Sequence, residues 1–275
     1  MTIRAHGWLK DAHDPNDQPL DLLLAGARRP KASLPAPDLR PVRGPAIYQL
    51  DVSSCVAFSL SRAIYMSLRM QGHSDPPIPA PLLTYFAARR REHLELSAEE
   101  APPVKDVGCY PRLAIEAVRA IGFLPWNAWP YDPAQRNTPP TPKDLVGAYS
   151  QRDLAYYRVT QTGRAKVNAV ADALRHHYPI TFGMPVDSAF LDFVGGAAAP
   201  LSKLDTNDIV GGHAMSVLAV DEKRDLVLVD NWWGEDWGGN GDGTGWLKAD
   251  LWSAYADDVY AIVAAPIYAA DGALL

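Results

Sequence analysis

The chain has 275 residues, of which 48% are hydrophobic and 21% are charged, and its formal net charge is −6. This length is enough to bury a sizeable core, as one large domain or as two lobes. The acidic balance leaves no basic footprint for nucleic acid or anionic lipid, so we expect neither as a partner and leave the oligomeric state open. Two cysteines, Cys55 and Cys109, cannot form a disulfide framework.

The start of the chain has no apolar signal-peptide core, and no stretch is long enough to span a membrane. We therefore expect a cytoplasmic protein, although export by a route without a signal peptide stays open. Residues 1–33 are polar, and prolines then punctuate an extended segment up to Pro45.

The pattern becomes helical from Ser53 and predicts a helix that ends before Gly72. Two more helices are predicted in the first half, over 81–92 and 110–121. The second half is typical of strands, with one helix over 166–177 between them. The predicted strands cover 156–160, 180–186, 214–220, 226–231 and 259–265. Helices first and strands later indicate an α+β protein with a helical lobe and a sheet lobe.

Cys55 opens the first of these helices. Unpaired backbone N–H groups and the helix dipole favour a thiolate at such a position. We expect Ser53 or Ser54 to cap the helix. The alternative for Cys55 is a buried structural thiol. Gln49 precedes it by less than two helical turns, where its side-chain amide can donate to an oxyanion together with the Cys55 N–H.

His213 follows Gly211 and Gly212 and begins an apolar strand, and glycines there let a substrate backbone approach closely. The next predicted strand ends at Asn231. A short loop joins the two strands, so we expect them to pair as a hairpin that brings Asn231 beside His213. An asparagine amide can fix the tautomer of an imidazole. Asp230 is an alternative orienter, but strand alternation points it to the opposite face.

Trp233 follows in a glycine-rich loop, where it can shield a hydrogen bond between His213 and Asn231 from water. An ordinary core role for this tryptophan is compatible with that interpretation.

Taken together, the blocks in the sequence resemble the papain family of cysteine peptidases over about residues 34–265. The blocks that carry the resemblance are Pro37-Asp38-Leu39-Arg40, the spacing from Gln49 to Cys55, Gly108-Cys109-Tyr110-Pro111, Trp129-Pro130-Tyr131, Gly211-Gly212-His213-Ala214 and Asn231-Trp232-Trp233-Gly234. The resemblance implies a two-lobed fold with a helical lobe (about 46–155), an antiparallel β-barrel-like lobe (about 34–45 and 156–268) and an active site in the cleft between them. Residues 34–275 would form the catalytic domain and residues 1–33 an N-terminal extension.

By the resemblance, Cys55 is the nucleophile, His213 the general base and acid, Asn231 the orienter and Gln49 the oxyanion donor. Cys55 and His213 are then expected to form a thiolate–imidazolium pair. Substrate would lie along a wall formed by Gly108, Cys109, Gly212 and Trp233. The sequence departs from the family pattern at Val52 and Trp232, where a cysteine and a serine are usual, and at Cys109, where the family has glycine.

Cys109 has two interpretations, a thiol that narrows the cleft or a buried core cysteine. The extension is also too short for the large inhibitory prodomain that is typical of secreted members. We therefore predict a cysteine peptidase that acts on peptides or proteins, with no metal and no organic cofactor. The alternatives are another acyl-transfer enzyme on the same triad, such as an amidase, a transpeptidase or a deubiquitinase-like hydrolase, or an inactive binding module of the same fold.

Overall fold

The computed structural model describes residues 6–26, 37–93, 102–148 and 151–264. Its helices are α1 (Leu20–Gly26), α2 (Cys55–Met70), α3 (Pro81–Arg91), α4 (Pro111–Ile121), α5 (Pro142–Ala148), α6 (Gly163–Arg175), α7 (Ser188–Leu191) and α8 (Ala249–Tyr255). Its strands are β1 (Leu154–Arg158), β2 (Ile180–Asp187), β3 (Ile209–Asp221), β4 (Leu226–Asp230), β5 (Thr244–Lys248) and β6 (Asp257–Ala264). None of the helices in these ranges combines the length and the apolar character needed to cross a bilayer.

The predicted helices and strands are all present, with bounds that differ by a few residues. The largest difference concerns β3, which was expected to begin at Ala214 and instead begins at Ile209. Gly211 and Gly212 weaken the local strand signal, but they pair with Val186 and Pro185 of β2, and that ladder extends the strand. His213 therefore lies inside the strand and not at its start.

The sheet has six strands in the order β1-β6-β2-β3-β4-β5, and every neighbouring pair is antiparallel. β3 and β4 form the predicted hairpin, with Ser216 opposite Asp230. The first and last strands of this order do not pair in the described residues, so the sheet is open and the expected barrel is not closed.

The two faces of the sheet bury different helices. α2 crosses one face against β3 and β6, and α3 and α4 pack beyond it. α6 covers the other face, next to α8. α2 is buried along almost its whole length, which is why its sequence is apolar on most sides. Helices α2–α4 on one side and the sheet with α6 and α8 on the other give the expected α+β arrangement of two lobes.

The N-terminal residues 6–26 pack on this body and do not extend away from it. Leu20 of α1 is fully buried, and the backbone of Gln18 accepts a hydrogen bond from Arg158 of β1 at 2.7 Å. The expected boundary between extension and domain falls in residues 27–36, outside the described residues, so that division stays a prediction.

Candidate active site

Cys55 is the first residue of α2 and is fully buried. The predicted serine cap is absent, because no side chain caps this helix, and the Ser54 hydroxyl instead lies 3.0 Å from the Tyr131 hydroxyl. The amides of the first turn are consequently available to the thiol. The backbone N–H groups of Cys55 and Val56 both interact with it and lower the pKa of the thiol, although burial outweighs them.

Gln49 is buried in the turn that leads into α2. Its side-chain Nε2 donates to the Val52 carbonyl at 2.8 Å, and its backbone N–H donates to the Trp232 carbonyl at 3.0 Å. Tyr131 donates its hydroxyl to the Gln49 carbonyl at 2.6 Å. The turn is therefore anchored from both lobes.

His213 and Asn231 are brought together by the β3–β4 hairpin. The Nε2 atom of His213 lies 2.7 Å from Oδ1 of Asn231. A carbonyl oxygen can only accept, so Nε2 carries the proton and Nδ1 is left as the basic nitrogen. Nδ1 is buried and has no hydrogen-bond partner within the described ranges. Trp233 stacks on the imidazole with its ring centroid 4.0 Å away, and both rings are shielded from water.

Asp230 points to the opposite face, as strand alternation predicts. It pairs with Arg62 of α2 at 2.8 Å and with Arg43. The carboxylate is thus fully occupied by two guanidinium groups and does not reach the imidazole.

The start of α2 lies against β3, the strand that carries His213. Ala214, the residue after His213, interacts through its backbone N–H with the Cys55 thiol. Burial raises the pKa of this thiol to about 12 and lowers the pKa of the imidazole to about 3. Burial therefore favours the neutral form of both groups in this arrangement and opposes the expected thiolate–imidazolium pair.

The N-terminal segment, residues 6–11, which we call the cleft segment, contributes to this burial, since the Gly7 backbone interacts with the Cys55 thiol. It lies between the two walls that the sequence predicted for substrate. On one wall, Cys109 donates its N–H to the Gly7 carbonyl at 2.9 Å and accepts from Leu9 at 3.2 Å. On the other wall, the Gly212 carbonyl accepts from Gly7 and Trp8, each at 3.0 Å.

Close backbone approach explains the glycines along these walls. A Cβ atom at Gly108 would overlap the Gly7 carbonyl, and one at Gly212 would lie 2.6 Å from the Trp8 carbonyl oxygen. Gly108 also has a φ of +88°, which side-chain-bearing residues rarely adopt. These positions therefore admit another backbone only because they lack side chains.

The cleft segment contacts the Cys55 thiol through its backbone. The Gly7 group that interacts with the Cys55 thiol is its backbone N–H, and the Gly7 carbonyl is bound to the Cys109 N–H. The Trp8–Cys109 bridge is parallel. Gly7 therefore contacts the thiol as a hydrogen-bond donor.

Cys109 is fully buried and belongs to the same apolar cluster as Cys55. Both cysteines are free thiols. Burial and the neighbouring Cys55 raise the pKa of the Cys109 thiol. In this arrangement the backbone of Cys109 lines the cleft while its side chain packs in the core, which favours the second of the two interpretations.

A network of acidic and basic groups holds the cleft segment and the residues after it. The Asp17 carboxylate pairs with Arg112 of α4 at 2.6 Å and with Arg158 of β1 at 3.2 Å. The Asp11 carboxylate accepts from the Arg112 backbone at 3.0 Å and from the Tyr260 hydroxyl at 2.8 Å. Burial and nearby Asp258 raise the pKa of Asp11 to about 6. Three or more metal-ligating side chains do not cluster anywhere in the ranges that the structure describes.

Sequence reasoning missed the cleft segment, Gly183 and Asp258. Residues 6–11 have no periodicity that would predict a partner. Gly183 did carry a signal, because an isolated glycine inside a strand indicates close approach by another group. Asp258 carried none beyond its charge.

Among solved structures, the chain is similar to xylellain, a cysteine protease from Xylella fastidiosa, with 24% identity and a TM-score of 0.74 over 96% of this chain and 98% of that one. It is similar to digestive procathepsin L2 from Tenebrio molitor at 20% identity and a TM-score of 0.65, covering 94% and 78% of the two chains. Bromelain from Ananas comosus has 16% identity and a TM-score of 0.60, covering 84% and 100%.

One curated relative is an uncharacterised peptidase C1-like protein of Acanthamoeba polyphaga mimivirus, 26% identical over 201 residues and 71% of this chain. The match spans 62% of that relative's own length. No family model matches the sequence. At these identities the solved structures establish the architecture, and the chain has the two-lobed α+β fold of the papain-like cysteine proteases.

Proposed function

We propose that this protein is a papain-like cysteine peptidase that hydrolyses peptide bonds through a thioester intermediate on Cys55. The observation that carries the proposal is the hydrogen bond of 2.7 Å between Nε2 of His213 and Oδ1 of Asn231. This bond leaves Nδ1 of the imidazole as the basic nitrogen. The next residue along the strand touches the thiol. The printed descriptions of the solved relatives as proteases support the same reaction class.

The reaction follows from these positions once the cleft is open. The Cys55 thiol gives its proton to Nδ1 of His213, and the sulfur attacks the carbonyl carbon of the substrate. The imidazolium returns that proton to the leaving amine as the C–N bond breaks, and a thioester remains. His213 then takes a proton from water, whose oxygen attacks the thioester carbonyl. The C–S bond breaks, the imidazolium returns the proton to the sulfur of Cys55, and the carboxylic acid leaves.

The oxyanion of each tetrahedral intermediate needs donors beside the sulfur. The Cys55 backbone N–H is one, since it already interacts with the thiol. Gln49 Nε2 is the second, because a hydrogen bond to the Val52 carbonyl holds this amide in the turn before α2. Asn231 keeps the imidazole in the required tautomer, and Trp233 excludes water from that hydrogen bond.

The described arrangement is a closed form of this enzyme, in which the cleft segment occupies the place of substrate. Opening removes the burial that holds Cys55 and His213 neutral, so the pKa of the thiol falls and that of the imidazole rises toward their ordinary values. The thiolate–imidazolium pair is thus a property of the open form.

Two alternatives use the same site. Another acyl-transfer enzyme on this triad would form the same thioester and differ only in substrate or acceptor. An inactive binding module of this fold would leave Cys55 unreactive even in an open cleft. Reactivity of the thiol separates the second alternative from the enzymes, and product analysis separates the first.

The experiment uses the full chain with Gly7→Ala. A Cβ at Gly7 would overlap the Ser53 carbonyl oxygen, whereas one at Gly26 meets nothing within 4 Å, so Gly26→Ala is the matched control. Overpacking of this kind costs about 1–3 kcal/mol, and we expect alkylation of Cys55 by iodoacetamide to accelerate about tenfold or more in Gly7→Ala. Peptide-library cleavage should increase in parallel and vanish with Cys55→Ala.

The outcomes are distinct. Fast alkylation with no cleavage of any peptide would overturn the peptidase proposal and favour the other acyl-transfer enzymes. Slow alkylation in a folded Gly7→Ala protein whose cleft segment is shown to be released would favour the inactive module. Equal acceleration in Gly26→Ala would show that the effect does not come from the cleft.

A further inference from the structure

We infer that Tyr131 is the positioning residue of the oxyanion site: its hydroxyl fixes the turn between Gln49 and the start of α2, and with it the places of both oxyanion donors. The inference rests on the proposed peptidase function, because the oxyanion forms only during that reaction. The role is positional, since Tyr131 contacts the residues that carry or adjoin the donors.

The Tyr131 hydroxyl joins two points of the chain that enclose this turn. It donates to the Gln49 carbonyl at 2.6 Å and lies 3.0 Å from the Ser54 hydroxyl. A carbonyl only accepts and a phenol has one hydrogen, so the Ser54 hydroxyl is the donor in the second bond. The bonds therefore run in one direction, from Ser54 through Tyr131 to Gln49, and each polarises the next.

The two proposed donors belong to the residues that these bonds tie together. Gln49 carries the side-chain Nε2, which is held on the Val52 carbonyl at 2.8 Å. The Cys55 N–H belongs to the peptide unit that follows Ser54, and it interacts with the thiol. A shift of the turn moves one donor relative to the other, whereas an oxyanion is stabilised only when both lie within hydrogen-bond distance of one atom.

The turn has a conformation that has to be held. Leu50 has a φ of +52°, which a leucine rarely adopts, and its side chain is exposed, so packing does little to keep it there. The Val52 N–H also donates to the Gln49 carbonyl, but at 3.3 Å, beyond the usual length of such a bond. The shorter bond from Tyr131 is therefore the one that orients this carbonyl.

The ring of Tyr131 is fixed against the helix that carries the nucleophile. It packs edge to face on Phe58, with the centroids 4.9 Å apart, and Trp126 lies beside it at 5.8 Å. Phe58 is fully buried in α2, about one helical turn after Cys55. The hydroxyl is thus held at a set place relative to the thiol, and Tyr131→Phe removes it while keeping the ring contacts.

Tyr85 offers a matched control, because it is another tyrosine of the helical lobe whose hydroxyl makes two hydrogen bonds. It donates to the Asp106 carboxylate at 2.6 Å and accepts from the Gly108 N–H at 3.0 Å. These two bonds support the cleft wall and not the turn at Gln49. We expect Tyr85→Phe to raise KM and to keep kcat.

The first test compares Tyr131→Phe with Tyr85→Phe in the full chain carrying Gly7→Ala. We expect Tyr131→Phe to lower kcat on a cleaved peptide about 10–100-fold and to leave KM nearly unchanged, since misplaced oxyanion donors weaken binding of the transition state and not of the substrate. Alkylation of Cys55 by iodoacetamide should keep its rate in both variants, because sulfur displaces iodide from a saturated carbon and no oxyanion forms.

The second test needs no turnover. A peptide nitrile adds the Cys55 thiol across its C≡N bond: the sulfur bonds to the carbon, and the nitrogen takes the proton of the thiol. This nitrogen stands where the carbonyl oxygen of a substrate would, so the affinity reports on the oxyanion donors. The probes are acetyl-dipeptide nitriles that vary in the first residue, each paired with the same peptide in which a methyl group replaces the nitrile.

We expect Tyr131→Phe to weaken binding of the nitriles about tenfold or more and to leave the methyl peptides unchanged. Tyr85→Phe should weaken each nitrile and its methyl partner by the same factor, because the cleft wall contacts both. The ratio of the two affinities therefore separates the oxyanion site from the rest of the cleft.

Ser54→Ala sharpens the assignment, because the Ser54 side chain does not cap α2 and its removal leaves the helix start intact. We expect a smaller loss of kcat than in Tyr131→Phe. The double variant should be no slower than Tyr131→Phe alone, since Ser54 acts through the phenol. Additive losses of kcat would mean that the two hydroxyls act independently and would contradict the inference.

The remaining outcomes are also distinct. An equal loss of kcat in Tyr131→Phe and Tyr85→Phe, an equal weakening of nitriles and methyl peptides by Tyr131→Phe, or slower alkylation in that variant would overturn the inference. Selective weakening of the nitriles without cleavage of any peptide would retain the role of Tyr131 and refute the peptidase function. Cleavage with a normal kcat in folded Tyr131→Phe would do the reverse. If Tyr131→Phe does not fold, Ser54→Ala carries the same comparison of nitrile and methyl peptide.

Discussion

Two buried clusters of aspartate and arginine lie on either side of the site, and they differ in where their members come from. The first joins Asp230 to Arg62 and Arg43, all of them within the described body of the domain. The second joins Asp11 and Asp17 of the N-terminal residues to groups of the domain, of which Arg112 is the central one. The first cluster can be broken only by unfolding, whereas the second is broken whenever the N-terminal residues leave.

We therefore expect the first cluster to affect the stability of the fold and the second to affect access to Cys55. A buried carboxylate that loses its cations is destabilising wherever it lies. In the first cluster the loss of an ion pair lowers the free energy of unfolding of the domain in full, because Asp230 and Arg62 are each at most 1% exposed. In the second cluster part of the cost falls on the equilibrium between the closed and open cleft, so changes there should alter access to Cys55 more than the melting temperature.

The largest expected effect is on the first cluster. Asp230→Ala leaves two buried guanidinium groups without a carboxylate, and we expect a loss of about 3–5 kcal/mol in the free energy of unfolding. Denaturant unfolding of the full chain measures it. A loss below about 1 kcal/mol would mean that Arg43 and Arg62 find other partners and that the two clusters do not differ as described.

The next effect is on the second cluster. Asp17→Asn weakens ion pairs with Arg112 and Arg158 while keeping the volume of the side chain. We expect alkylation of Cys55 to accelerate about tenfold, with a change in unfolding free energy of no more than about 1–2 kcal/mol. An unchanged alkylation rate together with a large loss of stability would place Asp17 with the structural cluster.

Asp11 makes the second cluster depend on pH. Its pKa is raised to about 6 in the closed form, mainly by burial and then by nearby Asp258, against an ordinary value of 3.8. The closed form therefore binds a proton that the open form releases, so closing is favoured as pH falls from about 7 toward 4 and weakened as pH rises through about 6. Tyr260 and Arg112 also face this carboxylate and oppose the shift.

The measurement is the alkylation rate of Cys55 in the parent divided by the rate in Asp11→Asn at each pH. The ratio cancels the titration of the thiol and that of His6, whose pKa burial lowers and whose effect on closing has the opposite sign. We expect the ratio to rise between about pH 5 and 7 and to level off above it. A flat ratio would remove Asp11 from the control of closing.

The smallest effect concerns the rim of the first cluster. Asp242 lies 3.7 Å from Arg43, and its side chain is 35% exposed. Asp242→Asn keeps the oxygen that accepts from Thr244 and removes the charge. We expect a change in unfolding free energy below about 1 kcal/mol, because a partly exposed ion pair is screened by water. If Asp242→Asn lowered the free energy of unfolding as much as Asp230→Ala does, burial would not determine how much each ion pair contributes to stability.

The sequence predicted the secondary structure around the site well. The α4 helix begins at Pro111 and ends before Gly122, as a proline in the first turn and a glycine after the last one indicate. The alternation along β3 and β4 and the short loop between them placed Asn231 beside His213 and pointed Asp230 away. These relations depend on residues that are close in the chain, so periodicity and turn chemistry are enough to predict them. The catalytic roles of these residues stay predictions.

What only the tertiary structure decided depends on contacts between residues far apart in the chain. Gly7 reaches Cys109 and Gly212 through backbone hydrogen bonds, which carry no side-chain pattern for a sequence to display. The Ser54 hydroxyl contacts Tyr131 instead of capping α2, because a partner was available in space that is distant in sequence. Asp258 lies beside the Trp8 indole at a bulge in β6 that arises only when β2 and β6 pair. Local patterns along the chain predict the candidate catalytic residues, whereas long-range packing places residues 6–11 between Cys109 and Gly212.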